Sequence, residues 1–147
     1  MMISTKGRYA LRIMIDLAQN LGKGYISLKL ISERQEISLK YLEAIIGILN
    51  RANFVSSMRG KSGGYKLSRN PSEYSVGSIL RLTEGGIVPV NCTNCKSDVV
   101  CRRGVECLSY PLWNDLDVMV NSFLEGITLQ DLLDGKLDNK EIKISLE

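Results

Sequence analysis

Histidine is absent from all 147 residues. That omission removes His-based general acid–base catalysis, Ser–His and Cys–His nucleophilic pairs, and every metal site that includes an imidazole. Missing too is any run approaching the roughly 20 apolar residues that a membrane-spanning helix requires. The segment from Met1 to Asn20 carries Lys6, Arg8, Arg12 and Asp16 within its apolar pattern, so it holds no signal-peptide core, and a cytoplasmic chain is expected. There is no internal repeat and no low-complexity tract. With no paired-carboxylate or nucleophile constellation either, a non-enzyme is expected. What remains is 44% hydrophobic and 24% charged, the balance of an ordinary globular protein. The length suffices for one domain with a real core, or for a small domain plus one extended element.

Charge is present but unevenly placed. Residues 1–70 hold 12 basic and 4 acidic side chains, a net of +8, whereas residues 71–147 hold 7 and 12, a net of −5. A basic half joined to an acidic half points to a polyanion partner for the first and a different task for the second.

The periodicity of the basic half is helical. Tyr9, Ala10, Ile13, Met14, Leu17 and Ala18 recur at three- and four-residue spacings, predicting a helix over 4–20 capped by Ser4 or Thr5. Gly22 and Gly24 break it, and Tyr25-Ile26 can form a short strand. Ser27 caps a short helix, Leu28 to Arg34, with Leu28, Ile31 and Leu30 expected inward. A turn at 35–37 leads to Ser38, the cap of a helix reaching about Ala52, with Tyr41, Leu42, Ile45, Ile46 and Leu49 as its apolar stripe. Two short capped helices joined by a tight turn make a helix-turn-helix. A strand at 54–58, a glycine-rich tip at 59–64 and a returning strand at 65–68 add a basic β-hairpin, the wing of a winged helix. Asn70-Pro71 ends the unit, and Ser75 caps a helix from Val76 to about Glu84, closed by Gly85-Gly86. In the acidic half Pro111 suits a first helical turn. Leu112, Leu116, Met119 and Phe123 then step by four, three and four in a heptad-like seam. Gly126 stops that helix, Thr128 caps a last one with Leu129, Leu132 and Leu133, and the tail from Asp138 is polar.

A helix lying in the major groove needs polar side chains at its start, where the base edges are reached. Ser38, Lys40, Tyr41 and Glu43 occupy that place. Lys40 can reach a guanine edge or a phosphate, Glu43 can accept from cytosine N4, and Tyr41 can be either contact or core. Arg59 at the wing suits a narrow, electronegative minor groove. Lys61, Lys66 and Arg69 are expected to neutralise phosphates, as are Lys6, Arg8 and Ser4 at the front of the first helix. A phosphate-cradling enzyme loop is the rival reading of the glycines, but residues 60–64 lack the Walker spacing and open no helix.

All four cysteines fall in one stretch. Cys95, Cys101 and Cys107 are spaced C-x5-C-x5-C, with Cys92 three residues ahead. In a reducing compartment such a cluster favours metal or redox chemistry over a disulfide framework. Thiolates so spaced can converge on an iron–sulfur cluster, on zinc, or on thiol redox chemistry without metal. Structural zinc prefers paired C-x2-C knuckles, and only Cys92 and Cys95 form one. Lys96, Arg102 and Arg103 would lower the thiol pKa values and offset the charge of a thiolate-bound cluster.

Together these residues carry a resemblance. The run Ser4-Thr5-Lys6-Gly7-Arg8-Tyr9-Ala10, then Ile31-Ser32-Glu33-Arg34-Gln35, Ile37-Ser38-Leu39, Tyr41-Leu42-Glu43, and Val55-Ser56-Ser57 with Arg59-Gly60 and Gly63-Gly64-Tyr65 resembles the Rrf-two family of bacterial winged-helix regulators. Cys95, Cys101 and Cys107, followed by Leu112-Trp113, are similar to the cluster loop of its iron–sulfur members. The resemblance covers about residues 1–135 and implies a homodimer, paired through the helix at about 111–125, with a 2Fe–2S cluster that alters DNA affinity or site choice. By matching position it implies that Ser38, Lys40, Tyr41 and Glu43 contact DNA from the recognition helix and that Arg59 reads the minor groove. One departure matters. Cluster-binding relatives of this type place a histidine three residues after the last cysteine, where Tyr110 stands here. Others recruit an acidic residue from the partner's first helix, and the matching position is Arg8. The resemblance therefore leaves the fourth ligand open, with Cys92 favoured ahead of Tyr110, Glu106 or Asp98; an all-thiolate site would have a lower reduction potential than one bearing a histidine nitrogen. The family also implies an alternative: some members carry no cluster and respond to thiol redox state or to a partner protein of cysteine metabolism.

The expected fold is mainly α with a small β-hairpin, a winged helix-turn-helix domain plus a long dimerisation helix. Its expected division is a DNA-binding domain at 1–86, a cysteine-rich sensor loop at 87–110, the dimerisation and C-terminal helices at 111–137, and a flexible tail at 138–147.

Overall fold

Helical periodicity dominates the chain, and the computed structural model, which describes residues 3–91 and 106–137, resolves it into six α-helices and one hairpin. Helix α1 (Thr5–Gln19) starts at Ser4, whose hydroxyl accepts from the Gly7 N–H at 3.3 Å, so the capping signal acts as the sequence implied. Its stripe of Ala10, Ile13, Met14, Leu17 and Ala18 is buried throughout. This helix is the spine of the domain and packs against α2, α3, α4, α6 and β2. Each large aliphatic side chain so enclosed contributes about 1.5–3 kcal/mol against chain entropy.

Helices α2 (Leu28–Gln35) and α3 (Leu39–Arg51) form the helix-turn-helix. Ser27 caps α2, and the helix ends where Glu36 turns left-handed with φ 54°. Ile31 and Ile37 are buried on either side of that turn. Leu30, expected inward, is 47% exposed, because the short helix offers the core only Ile31 and part of Leu28. On α3 the stripe of Leu42, Ile45, Ile46 and Leu49 is buried, whereas Tyr41 stands 37% exposed, one position off that stripe.

Strands β1 (Val55–Met58) and β2 (Gly64–Leu67) pair antiparallel, in register from Val55 opposite Leu67 to Met58 opposite Gly64. The strand expected at Tyr25-Ile26 is reduced to one bridge, in which Ile26 exchanges two backbone hydrogen bonds with Tyr65 at 2.8 and 2.9 Å. A β-carbon at Gly64 would run into the Ile26 carbonyl, so glycine is what permits this approach. After a short 3-10 turn (Pro71–Glu73), α4 (Val76–Glu84) is capped by Ser75 and closed by Gly85 at φ 77°.

Beyond the cysteine segment, α5 (Tyr110–Gly126) has no buried residue. Its C-terminal half rests on α4 through Val120 and Leu124, over Val76, Leu80, Ile87 and Ile127. Glycine at 77 allows the close contact, since a β-carbon there would meet the Glu125 carboxylate and backbone. Arg81 fixes the angle by pairing with Glu125 and donating to Asn121 at 3.0 Å. The last helix, α6 (Leu129–Asp134), carries a full capping box of Thr128 and Asp131. It returns to the first core: Leu129 is completely buried there, and the chain before it bridges to the start of α4 through Val76 N to Ile127 O and Leu129 N to Tyr74 O. No helix among the described residues is long and apolar enough to cross a membrane. The tail from residue 138 lies outside the described residues.

Candidate nucleic-acid interface and cysteine segment

The first turns of α3 are exposed on one side. Ser38, Lys40, Tyr41 and Glu43 all face solvent, as do Leu39 and Ala44. Ser38 occupies the cap position without a side-chain cap bond, unlike Ser4, Ser27, Ser75 and Thr128. The N–H groups of this turn therefore lack the side-chain acceptor the other caps supply, and a helix start in that condition attracts anions. Lys6 is half-exposed and Arg8 exposed at the front of α1, where the Arg8 guanidinium donates to Thr5 Oγ1 at 3.2 Å.

The wing tip is formed by residues 59–63, closed by a hydrogen bond from Gly63 N to Gly60 O at 3.0 Å. Gly60 has φ 108°, a value side chains resist, and Gly63 has no room for a β-carbon beside the Met58 carbonyl. Arg59 and Lys61 stand exposed at this tip. Lys66 and Arg69, also exposed, lie against aromatic rings. The Lys66 ammonium lies 4.7 Å from the Tyr25 ring centre, and the Arg69 guanidinium lies 4.6 Å from that of Tyr74 and 5.2 Å from that of Phe54. Both charges are held on ring faces at the base of the wing.

Residues that the sequence did not single out hold this surface in place. Tyr74 is fully buried; its hydroxyl donates to the Phe54 carbonyl at 2.7 Å and accepts from the Ser68 and Arg69 N–H groups at 3.1 and 2.9 Å. One phenol thus ties both strand ends of the wing. On α1 the Asp16 carboxylate, 1% exposed, accepts from Arg34 Nε at 2.9 Å, Arg34 Nη2 at 2.5 Å and Gln35 Nε2 at 3.0 Å. Hydrogen bonding to Asp16 raises the Arg34 pKa further above its ordinary value, against the effect of burial. One turn earlier, Arg12 donates to Gln35 Oε1 at 3.1 Å and to the Gln35 carbonyl. An acidic residue inside an apolar stripe was the available sign, but its partners lie 18 and 19 residues away and leave no local mark.

Of the proposed ligands, Cys92, Cys95 and Cys101, with Asp98, lie outside the described residues. Cys107 is half-buried just before α5; its Sγ lies 3.2 Å from Ser109 Oγ, and its carbonyl accepts from Tyr110 N at 3.0 Å. Glu106 and Tyr110 are exposed beside it. The start of this segment is anchored too: the Asn121 amide donates to the Ile87 carbonyl at 3.1 Å and to Asp117.

Comparison with known proteins agrees with this architecture. The family model for Rrf2, described as an iron-dependent transcriptional regulator, matches residues 3–135. The HTH-type transcriptional regulator IscR of Aliivibrio salmonicida is 39% identical over 145 residues, covering 99% of this chain and 83% of that protein. Among solved structures, CymR of B. subtilis, described as its global cysteine regulator, superposes with a TM-score of 0.75 at 38% identity, covering 92% of this chain and 98% of the other. The IscR of T. potens does so at 0.73 and 36%, covering 97% and 93%. These relatives regulate transcription rather than catalyse a reaction, and the winged-helix fold is shared with them. The chain belongs to the Rrf2 family of DNA-binding transcriptional regulators.

Proposed function

We propose that this regulator binds a partly palindromic DNA site as a homodimer and that its cysteine segment binds a 2Fe–2S cluster that tunes operator binding. The observation that carries the DNA side is the exposed start of α3, with Ser38, Lys40, Tyr41 and Glu43 outward and every large aliphatic of its stripe inward. Lys40 and Glu43 would read base edges, Arg59 the minor groove, and Lys61, Lys6 and Arg8 the phosphates. The dimer reading rests on Leu112, Leu116, Met119 and Phe123, which are 61%, 38%, 42% and 44% exposed along one side of α5. A seam of that length is what a second copy would cover.

The donor set fits a cluster by its chemistry: four thiols within residues 92–107 and no imidazole. Cys92, Cys95, Cys101 and Cys107 would hold it, and when bound it supplies a redox-sensitive, iron-dependent state to the segment. Cys107 suits the part by its place, half-buried just ahead of α5. A second reading draws on the likeness to a global cysteine regulator. In it the same thiols respond to redox state, or a partner protein of cysteine metabolism is bound, without metal.

Two measurements test this. Binding to a duplex selected from a random library should weaken steeply with salt, as about 6–10 phosphate contacts release counterions, and Arg59→Ala should cost about 1–3 kcal/mol. A flat salt response would sink the interface. Protein purified without oxygen should be coloured and carry about two irons per subunit, lost in Cys101→Ala. Colourless protein with intact DNA binding would select the metal-free reading.

A further inference from the structure

The side of α1 that meets the helix-turn-helix presents Tyr9, Arg12 and Asp16 in succession, about one turn apart. Asp16 and Arg12 both grip Gln35, the last residue of α2. Tyr9 meets the other helix of the motif. Its ring and that of Tyr41 lie edge to face, with centres 5.7 Å apart and planes at 79°. Its second neighbour is Arg12, whose guanidinium sits 5.4 Å from the Tyr9 ring centre. Tyr9 therefore contacts both the α1 cation that is bonded to the end of α2 and the exposed tyrosine of α3.

Resting on the reading of α3 as the recognition helix, we infer that Tyr9 is a positioning residue for DNA recognition. It orders the Tyr41 ring so that the phenol leaves the first turn of α3 in one orientation. A 37%-exposed tyrosine on an open helix turn would otherwise lose rotamer freedom on meeting DNA, and ordering it beforehand lowers that cost. The same contact sets the roll of α3 against α1, since Arg12 ties the preceding helix to the same face. Only the Tyr9 ring is used: among the described residues its hydroxyl makes no hydrogen bond, so phenylalanine should serve equally.

The test uses the full chain and two duplexes of equal length, one selected from a random library by the unmodified protein and one scrambled. Tyr9→Leu should weaken the selected duplex by about 2- to 10-fold, the range that an aromatic pair of this geometry represents. It should leave the scrambled duplex unchanged, and Tyr9→Phe should restore full affinity. Tyr41→Leu should cost a similar factor, and the double variant less than the product of the two. Additive losses, an unaltered selected-duplex affinity in Tyr9→Leu, or failure of phenylalanine to rescue would each overturn the inference. If Tyr9→Leu unfolds, judged by circular dichroism, Tyr9→Met carries the same comparison. Should the unmodified chain select no duplex at all, the DNA reading itself fails. If it selects one and Tyr41→Leu weakens it while Tyr9→Leu does not, only the positioning role is lost.

Discussion

Removing one oxygen at the base of the wing should have an effect larger than its size. In Tyr74→Phe the buried ring stays, and only the hydroxyl with its three hydrogen bonds is lost. The three are not equivalent. Ser68 N retains the Phe54 carbonyl at 3.2 Å, and that carbonyl retains Ser68, so this pair survives. The part-buried Arg69 N–H has no second acceptor among the described residues and is left without its bond. About 1 kcal/mol for the lost bond and about 1–2 kcal/mol for the stranded donor give about 2–3 kcal/mol. For a chain of this size that is a fall in Tm of about 5–10 °C. Thermal and urea unfolding should be followed at one fixed protein concentration, because association would shift both. Tyr74→Leu adds the loss of the ring packed 5.4 Å from Phe54 and should cost about 3–5 kcal/mol. A Tyr74→Phe protein melting within about 1 °C of the native one would refute the view that the hydroxyl ties the wing.

The remaining expectations concern other joints of the molecule. Arg34→Met leaves the enclosed Asp16 carboxylate with Gln35 as its remaining side-chain partner and should cost about 2–3 kcal/mol in urea unfolding, at the low end for a buried pair because Arg34 is itself partly solvated. An unchanged midpoint would deny the clamp. Gly64→Ala should break the Ile26–Tyr65 bridge and destabilise by about 1–3 kcal/mol, read as early hydrogen exchange at those two amides. Burial holds the Asp117 carboxyl above its ordinary range, and the Asn121 amide draws it partly back. A carboxyl with a raised folded-state pKa binds its proton more tightly in the folded chain, so stability declines as pH rises through that interval and the deficit is complete at neutral pH. Asp117→Asn should therefore raise Tm at pH 7 and not near pH 3; the same gain at both would exclude the electrostatic cause. If the proposed dimer pairs through α5, Phe123→Glu on its open side should give monomer in sedimentation while leaving circular dichroism unchanged, and persistence of a dimer would move the interface elsewhere.

Much of the fold was legible because its signals are local. Ser27, Ser75 and Thr128 precede helices and cap them through their own side chains, and the stripes of α1 and α3 follow a helical period that shows in the order of residues. The start of α3 and the wing tip could be named as the candidate surface for the same reason, being polar or glycine-rich stretches beside apolar ones. Tyr41 was ambiguous, since a tyrosine next to a stripe satisfies core and surface equally until a neighbour is known. Leu30 was misplaced inward because a short helix has too few turns to declare its buried side.

By itself the order of residues determined the helix boundaries, the glycine-dependent wing, the chemistry that a chain without histidine cannot perform, and the crowding of all thiols into one segment. Each depends on backbone preference, short-range spacing or side-chain inventory. Only the tertiary structure decided that Lys66 and Arg69 rest on rings, that Asp16 is matched to Arg34 and Gln35, that Tyr74 laces the wing, and that α6 returns to the first core while one side of α5 stays open. Those pairings join residues far apart in sequence, and they exist because the angles at which the helices cross bring particular faces together. Neither composition nor periodicity contains those angles.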